Sequence, residues 1–282
     1  MSLVYDYLDM AKFIDNEDYM RFAKYLKYES RHFLDTAQRR FMNAALQTSK
    51  DRSVKMNAGV IVWRAAIGYV NMNDAKPEDH EFDLCIGPHP VARLKPLIGR
   101  AYEGRINPKG IPYLYTSTSA ETAMSETRPG ASTILTVAKL VLLKDVRLVD
   151  CSLPDQEREK WNEQQEYLAD ENWREIDRAF SEPVDRNDDL ADYAPTQFLA
   201  EAFRNYGFEG IIYDSRLADG KNIALFDIDS AAVANRRLYR ARKVQVEYDK
   251  LITDILYEDQ FKDMPGVFEP PPDPPQYDDV SF

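Results

Sequence analysis

Residues 104–129 bring together the side-chain types that a site for a charged, ring-containing ligand requires. They predict a turn, a short aromatic strand and a helix start in succession, with Tyr115 and Glu126 eleven residues apart. A carboxylate can stabilise developing positive charge, a tyrosine face can pack on a cationic ring, and arginines can bind phosphates. This combination suits a phosphate-rich ligand with a cationic ring, such as NAD.

Composition excludes several classes of protein. The chain has 282 residues, enough for one good hydrophobic core with an accessory unit and a tail. No apolar run approaches the roughly 18 to 20 residues that span a bilayer, and the N-terminus does not resemble a secretory signal. Two cysteines, Cys85 and Cys151, are too few for a disulfide framework or a cysteine-based zinc site. We therefore expect free buried thiols and a cytoplasmic protein without a membrane span.

The acidic charge of the chain is concentrated at its C-terminal end. The net charge is −12, of which residues 247–282 carry −8 and residues 1–246 the other −4. This balance argues against a nucleic-acid binder, which needs a positive field, but it does not exclude an anionic small ligand from the mildly acidic body. A basic cluster before the tail is predicted to pair with the tail or to face solvent. The cluster consists of Arg236, Arg237, Arg240, Arg242 and Lys243.

Apolar spacing divides the chain into three predicted parts. Residues 3–48 are predicted to be helical, because apolar side chains recur at three- and four-residue steps without an intervening Pro or Gly. A polar break follows them, so residues 1–52 are predicted to be an N-terminal helical extension. Residues 53–246 are the predicted globular domain. Residues 247–282 form a Pro-rich acidic tail, whose composition favours an extended or disordered chain.

The predicted elements of the domain favour an α+β fold over a doubly wound sheet, because strands and helices do not alternate regularly. An amphipathic helix or pair of helices is predicted over 155–181. A later helix is expected to be capped by Thr196 and stopped by Gly207. Runs of branched and aliphatic residues predict strands at 59–66, 134–143, 146–149, 210–215 and 222–227.

The common catalytic motifs are missing from the sequence. It contains no G-x-G-x-x-G or G-x-x-x-x-G-K-S/T phosphate loop, no H-E-x-x-H zinc motif and no G-x-S-x-G elbow. A dehydrogenase, kinase, zinc hydrolase or serine esterase would have to be built without its usual signal. What remains is a set of Arg, Tyr, Glu, Ser and Asn residues at predicted strand ends and turns.

This set resembles the RES domain, a family named for Arg, Glu and Ser and found in bacterial toxin–antitoxin systems. The resemblance covers roughly residues 59–230, and its separated blocks occur in the family's order. One departure is Trp63, where the family commonly has a tyrosine before its first arginine. The matching blocks are Val62–Ala65, Gly104–Asn107, Gly110–Pro112, Tyr115, Glu121–Ala123, Glu126, Tyr193–Gln197, Gly207–Ser215 and Asn222–Phe226.

The resemblance implies a mixed-sheet fold like that of ADP-ribosyltransferase toxins and an attack on NAD as substrate. The site residues that it implies are Arg64, Tyr115, Glu126, Ser215 and Asn222. Arg105 is a further candidate for holding phosphate, whereas Asn107 can instead shape a turn and Gln197 can be structural.

The chemistry of these residues agrees with that assignment. Breaking the nicotinamide–ribose bond leaves an oxocarbenium-like centre, which Glu126 can stabilise. The planar fork of Arg64 suits a pyrophosphate, and Tyr115 can pack on the nicotinamide ring. Ser215 and Asn222 could bind the amide or the ribose. The chemistry requires neither a metal nor a second cofactor.

The sequence leaves the acceptor of the ribosyl group open among water, phosphate and a protein side chain. An enzyme of this kind would deplete NAD in its own cell or in a rival, and a separate antitoxin protein would hold it in check. A hypothesis of a different class is a non-enzymatic interaction module. In that hypothesis the domain is a scaffold, and the helical extension or the Pro-rich tail binds a partner.

Overall fold

The structure is a computed structural model that describes residues 12–71, 86–152, 164–182 and 190–244. The predictions for residues 3–11, for Cys85 and for the tail lie outside these ranges. The helices are α1 (Asp18–Tyr28), α2 (Thr36–Thr48), α3 (Ala120–Ser125), α4 (Gln164–Ser181) and α5 (Ala194–Asn205). The strands are β1 (Ser53–Met56), β2 (Ile61–Ile67), β3 (Val70–Asn71), β4 (Ile86–Gly87), β5 (Leu114–Ser117), β6 (Ile134–Leu142), β7 (Val146–Asp150), β8 (Gly210–Asp214), β9 (Lys221–Leu225) and β10 (Ala231–Arg240).

Eight of the described strands form one mixed sheet, in the order β1-β7-β8-β9-β5-β2-β6-β10. All neighbouring strands are antiparallel except β7 and β8, which are parallel. The short strands β3 and β4 pair with each other in a second sheet. Helices and strands follow one another without regular alternation, so the predicted α+β class is confirmed. The five predicted strands correspond to β2, β6, β7, β8 and β9.

The sheet is weakly joined at its middle. β2 and β5 share a single residue pair, Trp63 with Ser117. In contrast, β2 pairs with β6 over seven residues and β5 pairs with β9 over four. Backbone polar groups that lack a strand partner must bond to side chains, water or a ligand. The β2–β5 junction is therefore the place in the sheet where backbone groups are free to bond to a ligand.

Strand residues alternate between two hydrophobic clusters on the two faces of the sheet. Val149 and Ile211 belong to one cluster, whereas Leu148 and Ile212, next to them in sequence, belong to the other. Helices cover the first face and fill its cluster with large aromatic side chains. These include Phe22, Phe41, Trp173, Phe180 and Phe203.

Helices α1 and α2 pack into this first cluster. The rings of Phe22 and Phe41 lie 4.5 Å apart between centroids. From α4, Asn172 Oδ1 accepts a hydrogen bond from the Tyr19 amide at 2.8 Å, and Trp173 Nε1 donates to Thr48 Oγ1 at 2.9 Å. All described residues belong to one compact unit. The boundary at residue 52 stays a prediction, but the helices before it are part of the core.

The helical prediction for residues 3–48 is wrong for the segment between α1 and α2, which are separate helices. α1 ends at Tyr28 and α2 begins at Thr36. Asp35 starts the second helix by accepting a hydrogen bond from the Gln38 amide at 2.9 Å. This N-cap satisfies a backbone donor that the first turn of a helix cannot pair internally. Local capping therefore interrupts an apolar pattern that continues across the break.

The predicted cap of α5 is also wrong. The helix begins at Ala194 with a proline in its first turn, so Thr196 already lies inside it. The Thr196 hydroxyl donates instead to the carbonyl oxygens of Arg105 at 2.5 Å and Tyr193 at 3.1 Å. The predicted stop is confirmed, because Gly207 follows the helix with a φ of +98°.

The basic cluster lies mainly on β10, the edge strand beside β6. Arg236 donates from Nη1 to the His89 carbonyl oxygen at 2.6 Å, whereas Arg237 and Arg240 are exposed. The sequence predicted the charge of this segment but not its strand.

Three findings relate to composition. Cys151 is a free, buried thiol. None of the described helices is long and apolar enough to cross a membrane. Within the described ranges, no group of three or more His, Cys, Asp and Glu side chains could hold a metal ion.

Candidate active site

Glu126 lies at the C-terminal end of α3, beside the sheet. The predicted turn, strand and helix start are present: β5 is followed by Ser119, whose side chain caps α3 by accepting a hydrogen bond from the Thr122 amide at 3.0 Å. The helix has six residues, and Glu126 is its C-cap. This short helix carries the chain from the end of β5 to an exposed position for the Glu126 carboxylate.

Two side chains from other strands hold the Glu126 carboxylate. Its Oε1 accepts hydrogen bonds from Ser215 Oγ at 2.7 Å and Asn222 Nδ2 at 2.6 Å. Ser117 Oγ donates to Asn222 Oδ1 at 2.9 Å and so fixes the orientation of that amide. Oε2 receives no hydrogen bond from the residues that the structure describes. One carboxylate oxygen is therefore anchored while the other is available to a ligand.

Arg64 is a half-buried cation on β2. Its Nη1 donates to the Tyr115 carbonyl oxygen at 2.6 Å, and this bond bridges the β2–β5 junction where the strand ladder is nearly absent. Its Nε is buried without a hydrogen-bond partner, and no described carboxylate pairs with it. Burial lowers the pKa of Arg64, although an arginine keeps its charge at neutral pH. A half-buried cation with unused donors favours an anionic ligand.

Tyr115 offers its ring rather than its hydroxyl. The hydroxyl donates to Asn107 Oδ1 at 2.8 Å and accepts from the Ile106 amide at 3.2 Å. Burial raises the pKa of Tyr115, so the hydroxyl stays protonated. Gly104 allows this close packing, because a β-carbon there would lie 2.8 Å from Asn107 Oδ1 and 3.0 Å from the tyrosine oxygen. The turn thus fixes the position of the ring through its hydroxyl.

Four of the five residues that the RES resemblance implied line one cleft at the β2–β5 junction. The cleft has a volume of about 160 Å³, and the four residues are Arg64, Tyr115, Glu126 and Asn222. Ser215 does not line it but contacts the carboxylate of Glu126. The structure thus brings the predicted constellation together. The predicted contact of Ser215 and Asn222 with a ligand stays a prediction, since both bind Glu126.

The structure places Arg105 at a different cavity. This cavity has a volume of about 350 Å³, and residues of α1, α4 and α5 line it. Arg105 Nη1 donates to the Ala179 carbonyl oxygen at 2.6 Å, and Nη2 donates to the Glu182 carbonyl oxygen. Both acceptors lie at the C-terminal end of α4, where helix carbonyls lack partners within the helix. Arg105 therefore binds a helix end and does not reach the Glu126 cleft.

Asn107 and Gln197 organise the turn before β5. Asn107 Nδ2 donates to the carbonyl oxygens of Tyr102 at 2.9 Å and Ile111 at 3.0 Å. Gln197 Nε2 donates to the carbonyl oxygen of Gly104 at 2.8 Å. These contacts correspond to the structural alternatives for both residues.

Sequence reasoning missed Ser117, Tyr213 and Trp63, which also line the cleft. Residues two apart on a strand face the same side, so Tyr115 predicts Ser117 on β5. The same rule relates Ser215 to Tyr213, at the end of β8. Trp63 was noted only as the neighbour of Arg64. The period of two was thus the signal that could have identified the first two residues.

A family model described as the RES domain matches residues 87–249. Tyr115, Glu126, Ser215 and Asn222 fall inside this match, whereas Arg64 precedes it. No curated protein matches the chain. Among solved structures, the chain is similar to one in the M. tuberculosis MbcT–MbcA toxin–antitoxin complex, with 13% sequence identity and a TM-score of 0.39. That similarity covers 70% of this chain and 92% of the other, and a TM-score this low does not establish a shared fold.

Proposed function

The chain belongs to the RES domain family, whose model matches more than half of it, and on that premise we propose that it is an enzyme that consumes NAD. The proposed reaction breaks the bond between nicotinamide and ribose. The observation that carries the proposal is the cleft at the β2–β5 junction. There a half-buried cation without a described counter-ion, a fixed aromatic ring and an anchored carboxylate line the same space.

Each feature has a role in binding NAD. The unused donors of Arg64 suit a phosphate oxygen, which would compensate the desolvation of the guanidinium. The ring of Tyr115 suits the cationic nicotinamide, an attraction worth about 0.5–2 kcal/mol. Because the Tyr115 hydroxyl is already engaged with Asn107, the ring is held in one position before the ligand binds.

Glu126 would support the bond cleavage. When the bond between nicotinamide and ribose breaks, its electron pair stays with nicotinamide, which leaves as a neutral molecule. The anomeric carbon becomes oxocarbenium-like, and the negative charge of Glu126 stabilises it. Ser215 and Asn222 hold Oε1, so Oε2 can face the sugar without reorganisation. A water molecule then adds to the anomeric carbon and releases its proton to Glu126 or to solvent, which gives ADP-ribose.

A protein acceptor is a second candidate, and the exposure of Glu126 favours it. An exposed carboxylate at the end of a short helix would allow an incoming side chain to approach the sugar, giving mono-ADP-ribosyl transfer. Inorganic phosphate as acceptor would give a phosphorylated ADP-ribose. Product analysis after incubation with labelled NAD separates the three cases, because the label ends in free ADP-ribose, in a phosphorylated product or on protein.

We further propose a role as a toxin that lowers the NAD content of a cell and is restrained by a separate antitoxin protein. Family membership supports this role, since the RES domain is found in bacterial toxin–antitoxin systems. Expression of the chain should then lower the NAD content of the host, whereas Glu126→Gln should not. An unchanged NAD content with well-expressed protein would contradict the toxin role.

The enzymatic proposal is tested by nicotinamide release from NAD. Glu126→Gln keeps the shape and the hydrogen-bond acceptor but removes the charge, and it should lower the rate about 100- to 1,000-fold. Glu121→Gln is the matched control, because Glu121 is an exposed carboxylate on the same helix and does not line the cleft. Equal rates for both variants, or no release by the wild type, would contradict the proposal. Without release, the interaction-module hypothesis would be favoured.

A further inference from the structure

A second cavity shares two walls with the Glu126 cleft. It has a volume of about 600 Å³, and both Arg64 and Tyr115 line it as well as the cleft. Most of its other lining residues come from the segment 90–102. Ligand pockets commonly measure about 300–1,000 Å³. The cleft, at about 160 Å³, is smaller than that range and suits one end of a dinucleotide, whereas the second cavity suits a nucleotide.

The second cavity is cationic. Arg93, Lys95 and Arg100 line it. Lys95 Nζ pairs with Asp229 Oδ1 at 3.0 Å, so its charge is compensated. Arg93 and Arg100 are exposed, and no described carboxylate forms an ion pair with either. Their two positive charges match the two negative charges of a diphosphate, and arginine forks suit its oxygens.

Apolar side chains stand beside these arginines. Leu97 and Tyr102 line the cavity with exposed fractions of 56% and 92%. A purine ring can stack on an aromatic face or cover an aliphatic side chain. Asn107 Nδ2 donates to the Tyr102 carbonyl oxygen at 2.9 Å, and its Oδ1 accepts from the Tyr115 hydroxyl at 2.8 Å. One residue thus fixes the backbone at Tyr102 relative to the ring of Tyr115.

We propose that this second cavity binds the adenosine diphosphate half of the dinucleotide. Arg93 and Arg100 bind the two phosphates, and the adenine packs against Leu97 and Tyr102. Arg64 lies on the wall that the two spaces share and binds the ligand where it passes from one to the other. This assignment rests on the proposed function for the position of the nicotinamide end. The binding of the adenosine diphosphate half itself requires no bond cleavage.

The test measures binding of ADP and ADP-ribose to the full-length chain by calorimetry. Wild type should bind both ligands, and the double variant Arg93→Gln/Arg100→Gln should weaken binding about 100-fold, as expected for the loss of two charge-assisted contacts. The matched control is Arg237→Gln/Arg240→Gln, because these arginines are exposed on β10 and line neither space. The control should bind both ligands like wild type. Equal affinity of the cavity double variant and wild type, or no binding by wild type, would overturn the assignment.

Kinetics separate this inference from the proposed function. With NAD, the cavity double variant should raise KM about 100-fold and change kcat little, because the lost contacts are far from the breaking bond. With nicotinamide riboside, which keeps the bond to be broken but lacks both phosphates and the adenosine, the same variant should match wild type. Arginine-dependent ADP binding without NAD turnover would contradict the enzymatic proposal but support the cavity. Turnover with an unchanged KM for NAD would contradict the cavity assignment alone. Binding of a protein partner, instead of ADP, in the cavity lined by segment 90–102 would contradict it too.

Discussion

Arg64 and Arg105 lie in two regions that use the hydrogen-bond donors of an arginine differently. Within the part of the chain that the structure describes, Arg64 uses one of its five N–H donors, in the bond to the Tyr115 carbonyl oxygen at the β2–β5 junction. At the end of α4, one terminal nitrogen of Arg105 donates to the Ala179 carbonyl oxygen of that helix and the other to the carbonyl oxygen of Glu182, the residue after it. The donors of Arg105 complete a helix terminus, whereas those of Arg64 are left beside a carboxylate cleft. Unused donors, rather than residue type, distinguish a ligand-binding arginine from a structural one.

The two regions also differ in whether acidic side chains compensate the charge of the arginine. The Arg105 cavity contains its own acids, Glu175 and Glu182, together with Lys27 and Arg178, so its charges can balance within the protein. In the cleft, Glu126 is anchored by neutral donors, and no described acid pairs with Arg64. The cleft therefore separates a cation from an anion. A ligand with a phosphate at one end and a cationic ring at the other matches that separation.

In the comparison of the two arginines, the largest expected effect is on activity at Arg64. Arg64→Lys keeps the charge but loses the planar fork and the bridge to Tyr115, so kcat/KM for nicotinamide release should fall about 100-fold. Thermal unfolding should be recorded alongside, to exclude loss of folded protein. If folded Arg64→Lys kept activity within about threefold of wild type, the claim that Arg64, unlike Arg105, binds the ligand would be contradicted.

Arg105→Gln should affect stability instead. Two charged donors to the end of α4 are lost, and the free energy of unfolding should fall by about 2 kcal/mol. Denaturant unfolding measures the change. The rate of nicotinamide release per folded molecule should stay at the wild-type value. A large loss of activity without destabilisation would show that Arg105 acts in catalysis.

Asn222→Ala should have an intermediate effect on activity. It removes one of two donors that hold Glu126 Oε1, so kcat should fall about tenfold while KM changes less. Ser215→Ala removes the other donor and gives a matched comparison. If the two residues bound the ligand rather than the carboxylate, KM would rise and kcat would be kept.

Tyr115→Phe should have the smallest effect. The ring is retained, so nicotinamide release should stay within about threefold of wild type. The bonds to Asn107 and Ile106 are lost, and the free energy of unfolding should fall by about 1 kcal/mol. If activity were abolished, the reaction would require the Tyr115 hydroxyl, and this prediction would be contradicted.

Sequence patterns predicted the strands that carry the site but not all of the elements around them. The branched runs of β2, β6, β7, β8 and β9 are local signals, and so is the Asp35–Gln38 cap that separates α1 from α2. β10 is different, because its residues 235–240 include three arginines and one asparagine. Its strand form depends on pairing with β6, a contact with a distant part of the chain.

For the site, residue types were predictable and their neighbours were not. The approach of Arg64 to Tyr115 depends on the order of strands in the sheet, which the sequence patterns do not specify. Arg105 lies outside the site because its side chain binds the C-terminal end of α4, whose position in space the sequence patterns do not specify. Both outcomes follow from tertiary contacts that override local signals.

The most direct test of the account measures initial rates of nicotinamide release from NAD by wild type, Arg64→Lys and Arg105→Gln side by side. The measurement is made at a temperature at which all three proteins are folded. The account predicts that wild type and Arg105→Gln release nicotinamide at the same rate, with Arg64→Lys about 100-fold slower. It would be contradicted if wild type released none, or if Arg105→Gln rather than Arg64→Lys lost the activity.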